Sequence, residues 1–240
     1  MLNKVTKNIM KVRYYHKWDV SYTDAITIQK DLAARLIFTD SACTAFPKYI
    51  AGADISYSKG DNLFFAAVVV LDYQSMDVIE ESTSSGHIDF PYIPGLLSFR
   101  EGPLLLRAFE KLRLEPDIII FDGQGIAHPR GIGLASHLGL FLDTPSIGCA
   151  KTKLTGACET PEDEFGASSP IIRAGNIIGA ALRTKKNVKP VYISQGYKIG
   201  LNASLDIVLS CMRGYKLPEP TRKAHLAVNR MRLANFVKSA

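Results

Sequence analysis

Long hydrophobic runs are missing from this sequence. No apolar stretch reaches the roughly 20 residues that a membrane-crossing helix needs, so neither a transmembrane segment nor a membrane partner is expected. Cysteine is sparse. Cys43, Cys149, Cys158 and Cys211 are scattered and form no C-x-x-C pair. That spacing excludes a disulfide scaffold and a thiolate zinc site, and it suits reduced thiols in the cytoplasm. Acidic residues are absent before Asp19. The basic start, MLNKVTKNIMKVRYYHKWD, nevertheless has no continuous apolar core and no small-residue cleavage site, so it is not read as a secretory signal. Repeats, low-complexity tracts and obvious linkers are also lacking. One domain over residues 1–240 is expected, with residues 1–22 as an N-terminal extension that receives no catalytic role.

What is present is ordinary for a globular protein. Hydrophobic residues make up 47% and charged residues 22%, which excludes a disordered chain, a collagen-like fibre and a simple coiled coil. A chain of this length can bury a core without covalent staples. Lys plus Arg number 29 against 23 Asp plus Glu, a formal net charge of +6. The surplus favours polyanionic partners, although many basic proteins bind no nucleic acid.

The hydrophobic pattern changes period along the chain. Thr23 to Leu36 reads as a helix, with Ile26, Lys30, Ala33 and Ile37 near helical spacing. Tyr49 to Tyr57, Phe64 to Leu71 and Val78 to Thr83 read as strands. Turns at Lys59 to Asn62 and Asp72 to Ser75 separate them, which predicts an antiparallel meander. A loop from His87 to Leu97 leads into a helix from Phe99 to Leu112, with Leu105, Phe109 and Leu112 on one face. The strand IIIF ends at Phe121; Leu134 to Phe141 is a short helix and Pro145 to Ala150 a buried strand. Further strands fall at Ile171–Ile172, Ile177–Arg183 and Val191–Ser194, and helices at Leu201–Met212 and Thr221–Val237. A meander followed by αβ crossovers implies an α/β fold with a mixed sheet covered by helices. Right-handed crossover sets IIIF beside the first strand.

Three carboxylates stand out. Asp54 interrupts an apolar strand and must be solvated, paired or bound to a cation; taken alone, an edge-strand aspartate facing water is the simpler account. Asp122 follows IIIF, where open α/β sheets bind ligands, and Gly123 and Gly125 permit close backbone approach. Its bland alternative is a strand-ending aspartate in a turn. Glu101 fits a capping box with Ser98, a structural role that Pro103 supports. If the first strand and IIIF are neighbours, these carboxylates converge and repel unless a cation neutralises them. Hard oxygen ligands suit Mg²⁺ or Mn²⁺, which activate water and stabilise charge at a phosphoryl centre. Lys151 can hold a phosphate from the next strand end or be a solvated lysine beside Lys153. His128 and His225 can act as acid, base or outer ligand, or be hydrogen-bonded for structure; His137 reads as packing and Cys149 as buried filler. Two prolines stiffen the loop FPYIPGLL around Tyr92 and Ile93. That is the form of a wedge between stacked bases, or of a tyrosine packed on the surface.

Five blocks in order, GADISY, PYIPGLLSFREGP, PDIIIFDGQGIAHPRGIGLASHLGL, PSIGCAKTKL and PEPTRKAH, resemble the endonuclease V family. The resemblance runs from about Tyr49 to about Arg232. It implies an RNase H-like fold and a Mg²⁺-dependent endonuclease, with Mn²⁺ a possible substitute. The substrate implied is nucleic acid carrying deoxyinosine or inosine, cut at the second phosphodiester bond on the 3′ side to leave 3′-hydroxyl and 5′-phosphate ends. By motif position it implies metal binding by Asp54, Glu101 and Asp122, a histidine close to the metal at His225 and an active-site lysine at Lys151. It implies a strand-separating wedge at Pro91, Tyr92, Ile93 and Pro94, and a flipped-base pocket at Gly95, Leu97, Gly123, Leu134, Gly148 and Leu154. Cys149 stands where an aliphatic residue is common, and Ala157 to Ser169 follows the family less well. The expectation is a monomeric, cytoplasmic DNA repair endonuclease. The alternatives are an inosine-specific ribonuclease on single-stranded RNA, a non-catalytic inosine-binding protein and a Schiff-base enzyme using Lys151.

Overall fold

The computed structural model describes residues 10–39, 47–58 and 62–239. Cys43 and the Lys59–Asp61 part of the first expected turn lie outside the described residues. The meander is β1 (Tyr49–Tyr57), β2 (Leu63–Asp72) and β3 (Val78–His87). β2 pairs antiparallel with β1 and with β3. Its run from Phe64 to Leu71 is buried throughout, as a strand covered on both faces requires. β3 continues past the expected end at Thr83 because its serines are satisfied from above. The Ser82 and Ser84 hydroxyls donate to the Ala108 and Leu104 carbonyls at 2.7 and 2.6 Å.

Those carbonyls belong to α2 (Leu97–Phe109), which leads to β4 (Ile118–Phe121), α3 (Leu134–Leu142) and β5 (Ser146–Ala150). β4 lies parallel to β1, with Ala53 opposite Phe121, and β5 lies parallel to β4. The strands β6 (Ser168–Arg173), β7 (Asn176–Leu182) and β8 (Val191–Tyr197) complete one eight-stranded mixed sheet, ordered β3-β2-β1-β4-β5-β8-β7-β6. The chain then forms α4 (Leu201–Ser210) and α5 (Glu219–Ser239).

Strand alternation divides the core into two layers. Ala51, Ala53, Ala66, Val68 and Phe121 pack with Leu105, Phe109 and Leu138 of α2 and α3. Ile50, Val69, Ile118, Ile120 and Ile147 pack with Val208 of α4 and with Ala224 and Val228 of α5. Gly52 faces the second layer. A Cβ there would lie 1.9 Å from the Pro220 carbonyl oxygen, so α5 sits directly against β1. No helix among the described residues is long and apolar enough to cross a membrane.

Two expectations need correction. The first helix, α1 (Tyr22–Ala33), buries Ala25, Gln29 and Leu32 rather than the face marked by Ile26, Lys30 and Ala33. A glutamine replaces an apolar residue on the buried stripe, which displaced the reading of the pattern. The Ser98–Glu101 capping box does not form. α2 starts at Leu97 with no side-chain cap, and Ser98 lies inside it, 2.9 Å from His137 Nδ1. Pro103 stands in the second turn of this helix. Residues 10–21, part of the extension given no catalytic role, pack against the domain. Met10 is buried, the Arg13 amide donates to the Phe141 carbonyl at 2.7 Å, and Trp18 packs against Phe99, His137 and Phe141.

Candidate active site

The parallel β1–β4 pair brings two carboxylates to one end of the sheet. Ala53 lies opposite Phe121 and the Asp122 amide donates to the Ala53 carbonyl at 3.2 Å, so Asp54 and Asp122 follow side by side. Asp54 is buried in the interior of the sheet, not on an edge strand facing water. Glu101 comes from the second turn of α2, Lys151 follows β5 and His225 lies on α5. All five side chains line one cavity of about 510 Å³.

The polar contacts within it are specific. His225 Nδ1 is 2.7 Å from Asp54 Oδ2, and the Asn229 amide nitrogen stands 3.1 Å from Nε2, which leaves Nδ1 to donate to Asp54. The Ile55 amide donates to Asp54 Oδ1 at 2.9 Å. Lys151 donates to Asp122 Oδ2. Gln124 donates to the Thr152 carbonyl at 2.8 Å and steadies the turn that carries Lys151.

Charge is unbalanced here. Burial, reinforced by Asp54 and Asp122, pushes the Glu101 carboxyl up to about 8. Burial and Asp54 also raise Asp122, against the opposing pull of Lys151. For Lys151, burial works downward, but the charge and hydrogen bond of Asp122, with Asp54 beside it, together hold the ammonium above its ordinary value. A Schiff-base nucleophile needs a neutral amine, so this environment disfavours that reading. Three carboxylates with one lysine among them are the donor set of a hard divalent cation. Among the described residues no three acidic or histidine side chains already close as a cage. Asp122 is engaged by Lys151 and Asp54 by His225, so the carboxylates fit a cation in chemistry, and their present partners would shift as it enters.

Glycines and apolar side chains share the lining of the same cavity. Gly95, Leu97, Gly123, Leu134 and Leu154 line it with Tyr92, Ile93 and Pro94. Gly148 is not on its wall. It packs beneath the lining residues, where a Cβ would fall 2.2 Å from the Gly125 nitrogen. Pro91 also misses this cavity and faces a separate depression beside Trp18 and Phe90. Tyr92 is 69% exposed, so it is not packed on a surface patch. His128 is buried with Nε2 2.9 Å from the Gly95 carbonyl, and His137 is buried on α3, as packing required. Gln29 and Gln124 also line the cavity. Sequence reasoning missed both, because an isolated glutamine carries no charge or spacing signal.

A family model described as Endonuclease V matches residues 30–226. The Endonuclease V of Dehalococcoides mccartyi is 49% identical over 220 residues, covering 91% of this chain and 97% of that protein. The chain belongs to the endonuclease V family. Its members are metal-dependent nucleases, so this chain is a phosphodiester hydrolase. The crystal structure of Endonuclease V from Bacillus subtilis superposes with a TM-score of 0.90 at 36% identity, covering 96% of this chain and 100% of that one. The RNase H-like architecture implied by the resemblance is thereby established. An Endonuclease V of Ciona intestinalis, solved in complex with a 23mer DNA containing an inosine followed by a ribo-adenosine, superposes at 0.78 with 28% identity, covering 90% of this chain and 99% of that one.

Proposed function

We propose that this endonuclease V acts on inosine-bearing DNA, cutting the second phosphodiester bond on the 3′ side of the lesion to leave 3′-hydroxyl and 5′-phosphate ends. One observation carries the reading: a single cavity is lined by the carboxylate cluster, by glycines and leucines and by an exposed tyrosine. Its volume, about 510 Å³, lies within the roughly 300–1,000 Å³ of small-molecule sites. A single flipped base fits that class of space. The inosine-containing DNA bound by the Ciona relative supports the choice of base.

In this reading Asp54, Glu101 and Asp122 hold Mg²⁺, for which Mn²⁺ can substitute. The bound ion would supply an activated water and charge neutralisation at the phosphate. Lys151, an ammonium at the end of β5, binds a phosphate oxygen when it leaves Asp122. His225 holds Asp54 in one orientation through its Nδ1 hydrogen. Tyr92 on the Pro91–Pro94 loop separates the strands. Glycine-lined walls let main-chain groups meet the edge of hypoxanthine and leave little room for guanine's extra amino group. Residues 1–240 work as one catalytic unit, as a monomer and in the cytoplasm.

The test is incubation of end-labelled duplexes that differ by one inosine, with and without Mg²⁺. A single product end one nucleotide beyond the lesion, formed only with the ion, is the expected result. Cutting of undamaged duplex at the same rate refutes it. A second reading, cleavage of RNA at inosine, gains support from the ribo-adenosine in the Ciona complex. Matched DNA and RNA oligonucleotides separate the two.

A further inference from the structure

The carbonyl of Gly95, a buried residue that lines the cavity, receives three donors. Gln29 Nε2 lies 3.0 Å away, His128 Nε2 2.9 Å and Arg130 Nη2 2.6 Å. A carbonyl oxygen has two lone pairs, so this one is fully engaged and has no capacity left to read a base. The donors also fix one another. Arg130 Nε donates to Gln29 Oε1 at 2.5 Å, and the Arg130 amide donates to His128 Nδ1 at 3.1 Å, which makes Nε2 the imidazole's donor. Gln29 and His128 are almost wholly buried, at 1% and 2% exposure. Two buried polar side chains around one backbone oxygen form a built anchor, since each would be costly to leave unmade.

The anchored residue ends the wedge loop. The Leu96 amide donates to the Ile93 carbonyl at 2.9 Å, and Gly95 has φ +81° directly after Pro94. Proline second and glycine third, with positive φ at the glycine, is the pattern of a type II turn. At the loop's other end Arg100 donates to the Phe90 carbonyl. Tyr92 is therefore exposed on a short loop tied down on both sides. Gln29 belongs to α1, which precedes every block that carries the family resemblance.

We propose that Gln29 is a positioning residue for lesion recognition: with Arg130 and His128 it fixes the Gly95 turn, which sets the wedge loop over the cavity and hence the discrimination of hypoxanthine from ordinary bases. This rests on the inosine reading above. Gln29 lines the cavity, but its hydrogen bonds go to Gly95, Ile132 and Arg130 and not to the carboxylates or Lys151, so its loss is expected to act through the turn.

The experiment compares wild type with Gln29→Met and Gln29→Glu. It measures kcat and KM on a single-inosine duplex, binding to the matched undamaged duplex, and thermal stability. The expected result for both variants is a KM raised about tenfold, the effect of one lost hydrogen bond and its consequences, with kcat and undamaged-DNA binding unchanged. Gln29→Glu keeps an acceptor for Arg130 while losing the donor to Gly95, so it tests the Gly95 contact even where Gln29→Met fails to fold. A folded Gln29→Glu with wild-type KM overturns the proposal. So does a loss shared equally by kcat, KM and undamaged-DNA binding, which marks a merely structural role. If wild type itself shows no preference for inosine, the inosine reading fails first, and that outcome is distinct.

Discussion

Glu101 shows how a single side chain can record what its site is for. In the ion-free protein its carboxyl stands at about 8, against an ordinary 4.5. Across that interval the folded chain holds a proton that the unfolded chain has released. This contribution to stability is therefore full below about pH 4.5 and lost as pH rises through about 8. In chelator, the melting temperature of wild type should fall more between these limits than that of Glu101→Gln. If the carboxylates hold Mg²⁺ as proposed, adding it at the upper limit should restore the melting temperature, because a ligand of the folded state stabilises that state. His128 works in the opposite sense. Burial lowers its imidazole from 6.5 to about 4, so its contribution is present above 6.5 and is lost as pH falls toward 4. Asp122→Ala tests the carboxylates directly. It should fold, because Asp122 lies at a strand end and not within the apolar layers, yet lose cleavage by more than about 100-fold, above the range for outer-sphere partners of a metal. Circular dichroism checks the first outcome and the end-labelled duplex the second.

At the scale of elements, the contact between β1 and α5 matters most. Gly52 admits the Pro220 backbone, and two residues along the strand Asp54 meets His225 of the same helix. Gly52→Ala forces the backbones apart. It should cost about 3 kcal/mol, the upper end for overpacking, and lower activity as well by drawing His225 from Asp54. A melt and a cleavage assay on one preparation check both. The sequence made much of this layout legible. Periodicity and turn chemistry located the meander, and crossover handedness placed β4 beside β1. What it obscured was polar burial. Gln29 disguised the inward stripe of α1, the serines of β3 masked a strand that α2 carbonyls satisfy, and Ser98 mimicked a cap while bonding to His137. Each is a polar side chain whose partner comes from a distant segment, and a local pattern carries no trace of such a partner. The convergence of two carboxylates was legible where Asp54 interrupts an apolar strand and Asp122 follows the run IIIF. The site was not legible at Gly148, whose small size serves packing under Gly125 rather than the cavity wall.

The whole molecule carries a formal net charge of +6, and its affinity for nucleic acid should fall with salt. Lys153 is exposed on the cavity lining. If it meets a phosphate, Lys153→Ala should weaken inosine-bearing and undamaged duplexes alike and reduce the slope of log affinity against log salt by about 1. Titrations at several salt concentrations measure that slope.

Asp54 and His225 stand 171 positions apart in the chain. Between them α2, β4 and the turn after β5 each add one member of the cluster. During synthesis the carboxylates therefore emerge long before the helix that orients Asp54. A ribosome-bound fragment ending ahead of Glu219 lacks that helix and leaves one face of β1 bare. The contact that orients Asp54 thus forms only after α5 has been made.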